Sequence, residues 1–459
     1  MTLHVPFDNS YATLPERFFT RMAPTPVAAP RLVAFNHDLA RTLGIVSDGV
    51  GDATLAELFS GNTTPDGASP LAQVYGGHQF GHWNPQLGDG RALLLGEVKN
   101  GPERFDIQLK GSGPTPYSRR GDGRAWLGPV LREYIMSEAM AALGVPTTRA
   151  LAAVATGEPV VREAGPLPGA VLTRVAASHV RVGTFQYFAA RGDLEALDAL
   201  TQHVITRHYP DASGPADLLE LVTAAQARLV AKWMSIGFIH GVMNTDNMAV
   251  SGETIDYGPC AFMDGYHPAR VFSSIDRGGR YAYGNQPQIA VWNLAQLATS
   301  LVPLMPDRDE AVEDFTSTIN GFADVYEVEW SLLFNAKLGL PAGTAPDLAT
   351  RFLTWMAEDE LDFTNTFRAL AEGKDIGPPE WRAAWQAADP DLEIARATNP
   401  VVIPRLHLIE HVITEAVAGD LSPFEDLLRV VTRPFEPVAP RFTAPPQPDE
   451  VVPRTFCGT

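Results

Sequence analysis

An α+β fold follows from two features of the sequence. Between about residues 70 and 175, short apolar or alternating runs are set off by glycine, the pattern of strands. From about residue 194 onward the apolar residues recur at the helical interval. With 459 residues, 45% of them hydrophobic, the chain can bury a large core as one big domain or two moderate ones. No apolar run approaches the roughly 20 residues that span a bilayer, and residues 1–30 lack a basic start followed by an apolar stretch. With only Cys260 and Cys457 there is no disulfide framework, which suits a reducing compartment, so a soluble cytoplasmic protein is expected. The net charge of -19 argues against bulk nucleic-acid binding, because phosphate backbones need a cationic face. An anionic substrate would therefore need a local basic pocket.

Taken in order, residues 1–70 are Pro-rich, with a helix expected around Arg31 to Leu43 and a loop from Gly61 to Pro70. Gln73 to Trp83 is dense in glycine, histidine and aromatics; its glycines disfavour a helix that would present His78 and His82 to one metal, so packing and hydrogen-bonding roles are preferred. Gly88-Asp89-Gly90-Arg91 then turns into the strand Ala92 to Leu95, a turn whose glycines allow close backbone approach and whose arginine is a bidentate donor. Lys110 ends the alternating strand Phe105 to Lys110, and the following loop to Arg124 combines glycines with Arg119, Arg120 and Arg124 as an anion cradle. Trp126 to Leu143 has helical periodicity and carries Glu133 and Glu138.

Pro159 to Val175 reads as a hairpin turning at Gly165 to Gly169. Arg174 and Arg181 follow without an obvious i,i+4 acidic partner, which makes them candidates for a pocket as much as for solvent. Helices are expected at Leu194 to Arg207, Leu218 to Ile236, Gln288 to Leu304, Asp309 to Leu333, Leu348 to Ala357, Thr364 to Glu372 and Ile403 to Val417. The Pro-rich end from Pro434 should be an extended tail.

The densest chemistry lies at residues 237–258, with His240, Asn244, Asp246, Asn247 and Asp256. The runs Met248 to Val250 and Thr254-Ile255, split by Ser251-Gly252, read as a small hairpin that brings a loop amide beside a carboxylate. Such hard oxygens suit magnesium on nucleotide phosphates, against the plainer reading of a polar surface hairpin.

This arrangement resembles the catalytic and metal-binding loops of the protein-kinase fold. His240-Gly241 opens the loop, Asn247 stands at the metal-binding Asn, Asp256-Tyr257-Gly258 stands for D-F-G, and Lys110 with Glu133 matches the strand lysine and its helix glutamate. Val242 occupies the place of the catalytic Asp and cannot accept a proton; Asp246 is the nearest replacement.

The motifs Y-G-G-H-Q-F-G-H-W, L-G-D-G-R, Q-L-K-G-S-G-P-T-P-Y-S-R-R-G-D-G-R, H-G-V-M-N-T-D-N-M and I-D-Y-G-P-C, in that order, resemble the selenoprotein O family. The resemblance implies a protein-kinase-like bilobal fold with an N-terminal wrap over residues 1–70, a nucleotide-binding part over 71–180, a catalytic part over 181–305, a helical extension over 306–435 and a tail over 436–459. It implies ATP bound in reversed orientation and AMP transfer to Ser, Thr or Tyr hydroxyls of protein substrates, with Mg2+ or Mn2+ as the ion; whether UTP can replace ATP, and which of the two metals is preferred, is not read from the residues. Carried onto this chain, nucleotide contacts fall on Gly88, Gly90, Arg91, Lys110, Asp122, Gly123, Arg174 and Arg181, the base on Asp246, and metal ligands on Asn247 and Asp256. It also places Cys457 where some relatives carry selenocysteine, with Cys260 as the one candidate for an internal bridge. A γ-phosphoryl kinase and a silent nucleotide-binding scaffold are the rival readings; neither the target proteins nor the oligomeric state can be read from the residues.

Overall fold

Alternation in the first 180 residues builds an antiparallel sheet. The computed structural model describes residues 3–163, 165–344 and 347–456. Its strands are β1 (Phe19–Arg21), β2 (Arg31–Phe35), β3 (Leu71–Gln73), β4 (Gly77–Gln79), β5 (His82–Asn84), β6 (Ala92–Asn100), β7 (Glu103–Lys110), β8 (Ala125–Trp126), β9 (Arg149–Arg162) and β10 (Gly165–Ala176). The main sheet runs β1-β3-β6-β7-β10-β9-β2, with β8 on β10, while β4 and β5 form a separate hairpin. Because side chains alternate across a strand, Ile107 and Leu109 of β7 enter a core shared with α1 (His37–Thr42) and α2 (Asp52–Phe59). Lys110 therefore faces the opposite side.

That opposite side is covered by α3 (Leu127–Ala142), which packs on β9 and β10 and against α14 (Leu406–Ala418) and α15 (Ser422–Val431). Enclosed on both sides, α3 buries even its carboxylates. Glu138 is matched by Arg149 Nε at 2.8 Å and Asn36 Nδ2 at 2.8 Å. Buried charge persists only where it is paired in this way.

Two sequence expectations fail here for tertiary reasons. The helix expected from Arg31 is a strand up to Phe35, because these residues complete the sheet edge on β9; the helix starts only where Asn36 accepts from Leu39 N at 3.0 Å. The turn expected at Gly165 to Gly169 lies inside β10. Pro166 and Pro168 fit there because β7 pairs only with Leu172 to Ala176, so this half of β10 has a side on which no ladder donor is needed.

The helical half contains α4 (Val182–Ala189), α5 (Leu194–His208), α6 (Pro215–Ser235), α7 (Gln286–Leu301), α8 (Arg308–Asn320), α9 (Phe322–Lys337), α10 (Asp347–Glu358) and α11 (Phe363–Ala371). α12 (Pro379–Ala387) and α13 (Leu392–Thr398) come before α14, and were not apparent in the sequence pattern, nor was α15. The single helix expected over 309–333 is split at Gly321, where α9 begins a new direction against α6. α6 leads into β11 (Phe238–Ile239), which pairs with β12 (Ala261–Phe262), so the two strands hold both ends of the reactive loop.

Residues 248–255 are not the self-paired hairpin read from the sequence. Val182 N donates to Met248 O (3.0 Å), Val250 N to Val180 O (3.0 Å) and Thr254 N to Pro146 O (2.9 Å). Competing backbone partners from elsewhere in the chain take both runs, so the loop is stitched to the segment that joins β10 to α4 and to the segment before β9. The tail expected to be extended from Pro434 instead contains the short helix α16 (Pro440–Thr443), which tolerates Pro440 because the first turn of a helix has no use for its N–H, and a turn closed by Glu450 N on Gln447 O at 2.9 Å; beyond these Thr455 bridges to Ser273 in parallel. Cys457 lies outside the described residues; Cys260 is buried. Among the described residues no helix is long and apolar enough to cross a membrane.

Candidate active site

A cleft of about 1080 Å³ opens between the sheet and the reactive loop. Gly88, Gly90, Arg91, Lys110, Asp122, Gly123, Glu133, Arg174, Arg181, Asp246, Asn247 and Asp256 all line it. They come from places more than 160 residues apart in the chain.

Its floor is ionic. Lys110 Nζ, at the end of β7, donates to Glu133 Oε2 (2.6 Å) and Asp256 Oδ1 (3.1 Å). Arg174, next to it on β10, donates from Nη2 to Glu133 Oε1 and to Asp256 Oδ1, both at 2.6 Å. Burial pushes the Asp256 carboxyl up, but Arg174, Lys110 and Arg181 outweigh this and hold it well below the usual range. The same opposition leaves Glu133 ionised, its burial offset by Arg174 and Lys110. Burial, and then the nearby Arg174 charge, lower the Lys110 pKa. Asp256 also has φ +65, a left-handed conformation uncommon for a residue with a side chain and found disproportionately at functional sites.

Arg181 precedes α4 with its guanidinium over the Tyr75 ring, 4.4 Å from the centroid. It lies between Asp89 Oδ1 (3.7 Å) and Asp256 Oδ2 (3.6 Å). Arg91 lines the cleft, and its carbonyl accepts from Gly111 N at 2.6 Å, fixing the strand end beside Lys110. Asp122 binds Arg162 Nη1 at 2.7 Å and Arg124 N at 2.9 Å, so its immediate task is to hold the loop to β9. Gly123 has φ +66, and a Cβ there would fall 2.1 Å from the Gly113 backbone; the glycine is required by loop packing.

On the other wall Asp246 sits in a tight turn, Thr245–Asn247. Its Oδ2 accepts from Gln79 Nε2 at 3.0 Å, and its Oδ1 is buried with no hydrogen-bond partner among the described residues. Burial raises its pKa to about 6, so it is mostly ionised at neutral pH and basic enough to take a proton. Val242 contributes a buried apolar wall. His240 Nε2 donates to Ile255 O at 2.8 Å, a loop-fixing role.

Asn247 Nδ2 donates to Val242 O at 2.9 Å, which leaves its amide oxygen as an acceptor. Asn247 and the Asp256 carboxylate line the same cleft, and each offers a hard oxygen of the kind that Mg2+ and Mn2+ prefer. No group of three or more His, Cys, Asp or Glu is placed to hold an ion among the described residues. The residues fit an ion whose remaining ligands are phosphate oxygens and water.

Sequence reasoning left Tyr75, Gln79, Asp89, Asn244 and Arg162 without roles. Gln79 lay in a conspicuous motif, but nothing local reveals a partner 167 residues away. His78 packs on Trp83 and Trp292, ring centroids 5.1 and 5.3 Å away, and its Nδ1 accepts from Gln186 Nε2 at 2.9 Å.

A cleft that gathers buried cations around two ionised carboxylates, with a third carboxylate in its lining, is suited to group transfer from an anionic substrate, the chemistry of a transferase. A sequence model described as protein adenylyltransferase SelO matches residues 1–388. The chain is 60% identical to a Ruegeria sp. (strain TM1040) protein over 100% of both chains, and 59% identical to one from Jannaschia sp. (strain CCS1) over 99% of each. A Ruegeria pomeroyi protein is 59% identical over 100% of both. All three relatives are named protein nucleotidyltransferase YdiU. The chain belongs to the SelO family of protein adenylyltransferases, and the family's activity implies ATP as nucleotide and proteins as acceptors.

Proposed function

We propose that this protein transfers AMP from ATP to Ser, Thr or Tyr hydroxyls of target proteins, releasing pyrophosphate, with Asp246 as the base. The observation that carries this reading is Asp246 in the wall of a cleft in which position 242 holds valine, its Oδ2 anchored by Gln79 and its buried Oδ1 without a hydrogen-bond partner among the described residues. A carboxylate with acceptor capacity to spare can take a hydroxyl proton; a valine cannot.

In the proposed step Asp246 takes the acceptor proton while the hydroxyl oxygen bonds to the α-phosphorus. The bond from that phosphorus to the α–β bridging oxygen breaks, and pyrophosphate leaves with the electron pair. Lys110, Arg174, Arg181 and Arg91 hold the phosphates, and the loop of Gly88, Gly90, Asp122 and Gly123 encloses the nucleotide. Glu133 keeps Lys110 and Arg174 in place, as their short contacts with it indicate. Mg2+ or Mn2+ on Asn247 and Asp256 would neutralise phosphate charge.

A kinase-like bilobal arrangement, with the cleft between residues 71–180 and 181–305, a wrap before them and a helical extension and tail after them, accords with the Lys110–Glu133 pair and with Asn247 and Asp256 on one loop. UMP transfer from UTP is the variant activity, and the cytoplasm the proposed location, given the scarcity of cysteine. ATP labelled at the α or the γ position, incubated with the protein and total cell-lysate protein, tests the function. Protein-bound α-label supports AMP transfer; γ-label indicates a kinase, and no label a binding scaffold.

A further inference from the structure

The Gln73–Trp83 motif takes no part in the step above, yet the structure sets it directly against the catalytic loop. Three successive residues of the β4–β5 hairpin each hold one residue of that loop. His78 N donates to Thr245 Oγ1 (2.7 Å), Gln79 Nε2 to Asp246 Oδ2 (3.0 Å) and Phe80 N to Asn244 Oδ1 (3.0 Å). Asn244 Oδ1 is fixed further by Tyr281 Oη at 2.6 Å, and Thr245 Oγ1 donates to Gln186 Oε1 at 2.7 Å.

The hairpin is held there against its own preference. Its two-residue turn has φ +52 at Phe80 and +83 at Gly81, where a side chain as large as Phe is disfavoured. The contact is also close: a Cβ at Gly77 would lie 3.2 Å from Asp246 Oδ1. A strained turn, a close backbone approach and three hydrogen bonds on consecutive loop residues exceed what a surface hairpin needs.

An ionised carboxylate can only accept, so the Gln79 amide meets Asp246 through its NH2 group. We propose that Gln79 is a positioning residue for acceptor activation: by anchoring Oδ2 of Asp246 it fixes the orientation of the carboxylate in the cleft wall, where it meets the incoming protein hydroxyl. This rests on Asp246 being the base. Misplacing a reacting group by about an ångström costs on the order of 100-fold in rate, so losing the anchor should act on turnover and leave nucleotide binding alone.

The test compares Gln79→Met, which keeps size without the donor, and Gln79→Glu, which offers only an acceptor, with Asp246→Ala and the unaltered full chain. Initial rates of α-label transfer from ATP to total lysate protein give apparent kcat and KM for ATP, and a non-hydrolysable ATP analogue gives Kd. Both Gln79 variants should lose about 10- to 100-fold in kcat, with KM and Kd within about twofold and an unchanged melting temperature. A kcat within twofold of the parent overturns the proposal, as does a loss confined to KM or one that tracks a lower melting temperature. Asp246→Ala separates the two ideas: if it turns over normally, the base assignment fails, whereas an inactive Asp246→Ala beside a normal Gln79→Met removes Gln79 alone.

Discussion

Arg174 Nη2 lies 2.6 Å from Asp256 Oδ1, and the same nitrogen lies 2.6 Å from Glu133 Oε1. One buried guanidinium thus ties β10 to α3 and to the strained residue at the end of the reactive loop. A lysine has the charge but not the planar fork that reaches both carboxylates. Arg174→Lys should therefore weaken binding of a non-hydrolysable ATP analogue by about tenfold or more and destabilise the fold by about 1–3 kcal/mol, read by titration and thermal melting. Parent-like values in both would show the shared contact to be dispensable.

Asp246 and Asp256 should separate in kinetics. Asp246→Ala is expected to lower kcat at least about 100-fold with only a modest loss of ATP affinity, since its neighbours are Gln79 and the loop itself. Asp256→Ala should impair both, because it strips three cations of their common partner. Near-normal turnover of Asp246→Ala would remove it from the role of base.

Chelation supplies a third prediction. EDTA should abolish α-label transfer, and Mg2+ or Mn2+ should restore it in the parent but not in Asn247→Ala. Full activity in EDTA would leave Asn247 and Asp256 with purely structural tasks.

Gly123→Ala places a methyl group against the Gly113 backbone at a left-handed φ. The loop must then shift, with a cost of about 1–3 kcal/mol, and the melting temperature and ATP-analogue affinity should fall together. Gly144, also left-handed but with open space around it, is the control: Gly144→Ala should cost about 1 kcal/mol and spare binding.

Lys337 is a pH-dependent liability away from the cleft. It is 2% exposed with Nζ 4.3 Å from the Phe367 ring centroid, and burial lowers its pKa to about 7. The unfolded chain keeps this proton up to about pH 10.4. Between those values the unfolded state binds more protons, so this residue makes folding more favourable as pH rises, on the order of 1 kcal/mol per unit. The gain is lost as pH falls through 7. Urea unfolding at pH 6.5 and 9 should show Lys337→Met to be stabilised most at the lower pH; an equal effect at both would refute the assignment.

Periodicity placed Lys110 at the end of an alternating strand and both Glu133 and Glu138 on the following helix, while the pairing of Lys110 with Glu133 came from the resemblance to kinases. Composition set only a condition, that an anionic substrate of so acidic a chain needs a local basic pocket; the arginines of the glycine-bearing segments were what suggested one. The loop of residues 248–255 was misread because its apolar runs find backbone partners at Val180, Val182 and Pro146, which no local pattern announces. Residues 31–35 were misread for a related reason: the sheet edge on β9 decides their conformation over local propensity.

By itself the sequence determined the mixed α and β elements, the family motifs and the charged residue types available for chemistry, since periodicity and glycine placement are local properties of a chain. Only the tertiary structure decided which of them meet: Gln79 with Asp246, Asp89 with Arg181, Arg174 with both Glu133 and Asp256. Each of these contacts joins groups that must lose water to be buried, and which partner repays that loss depends on how the whole chain packs.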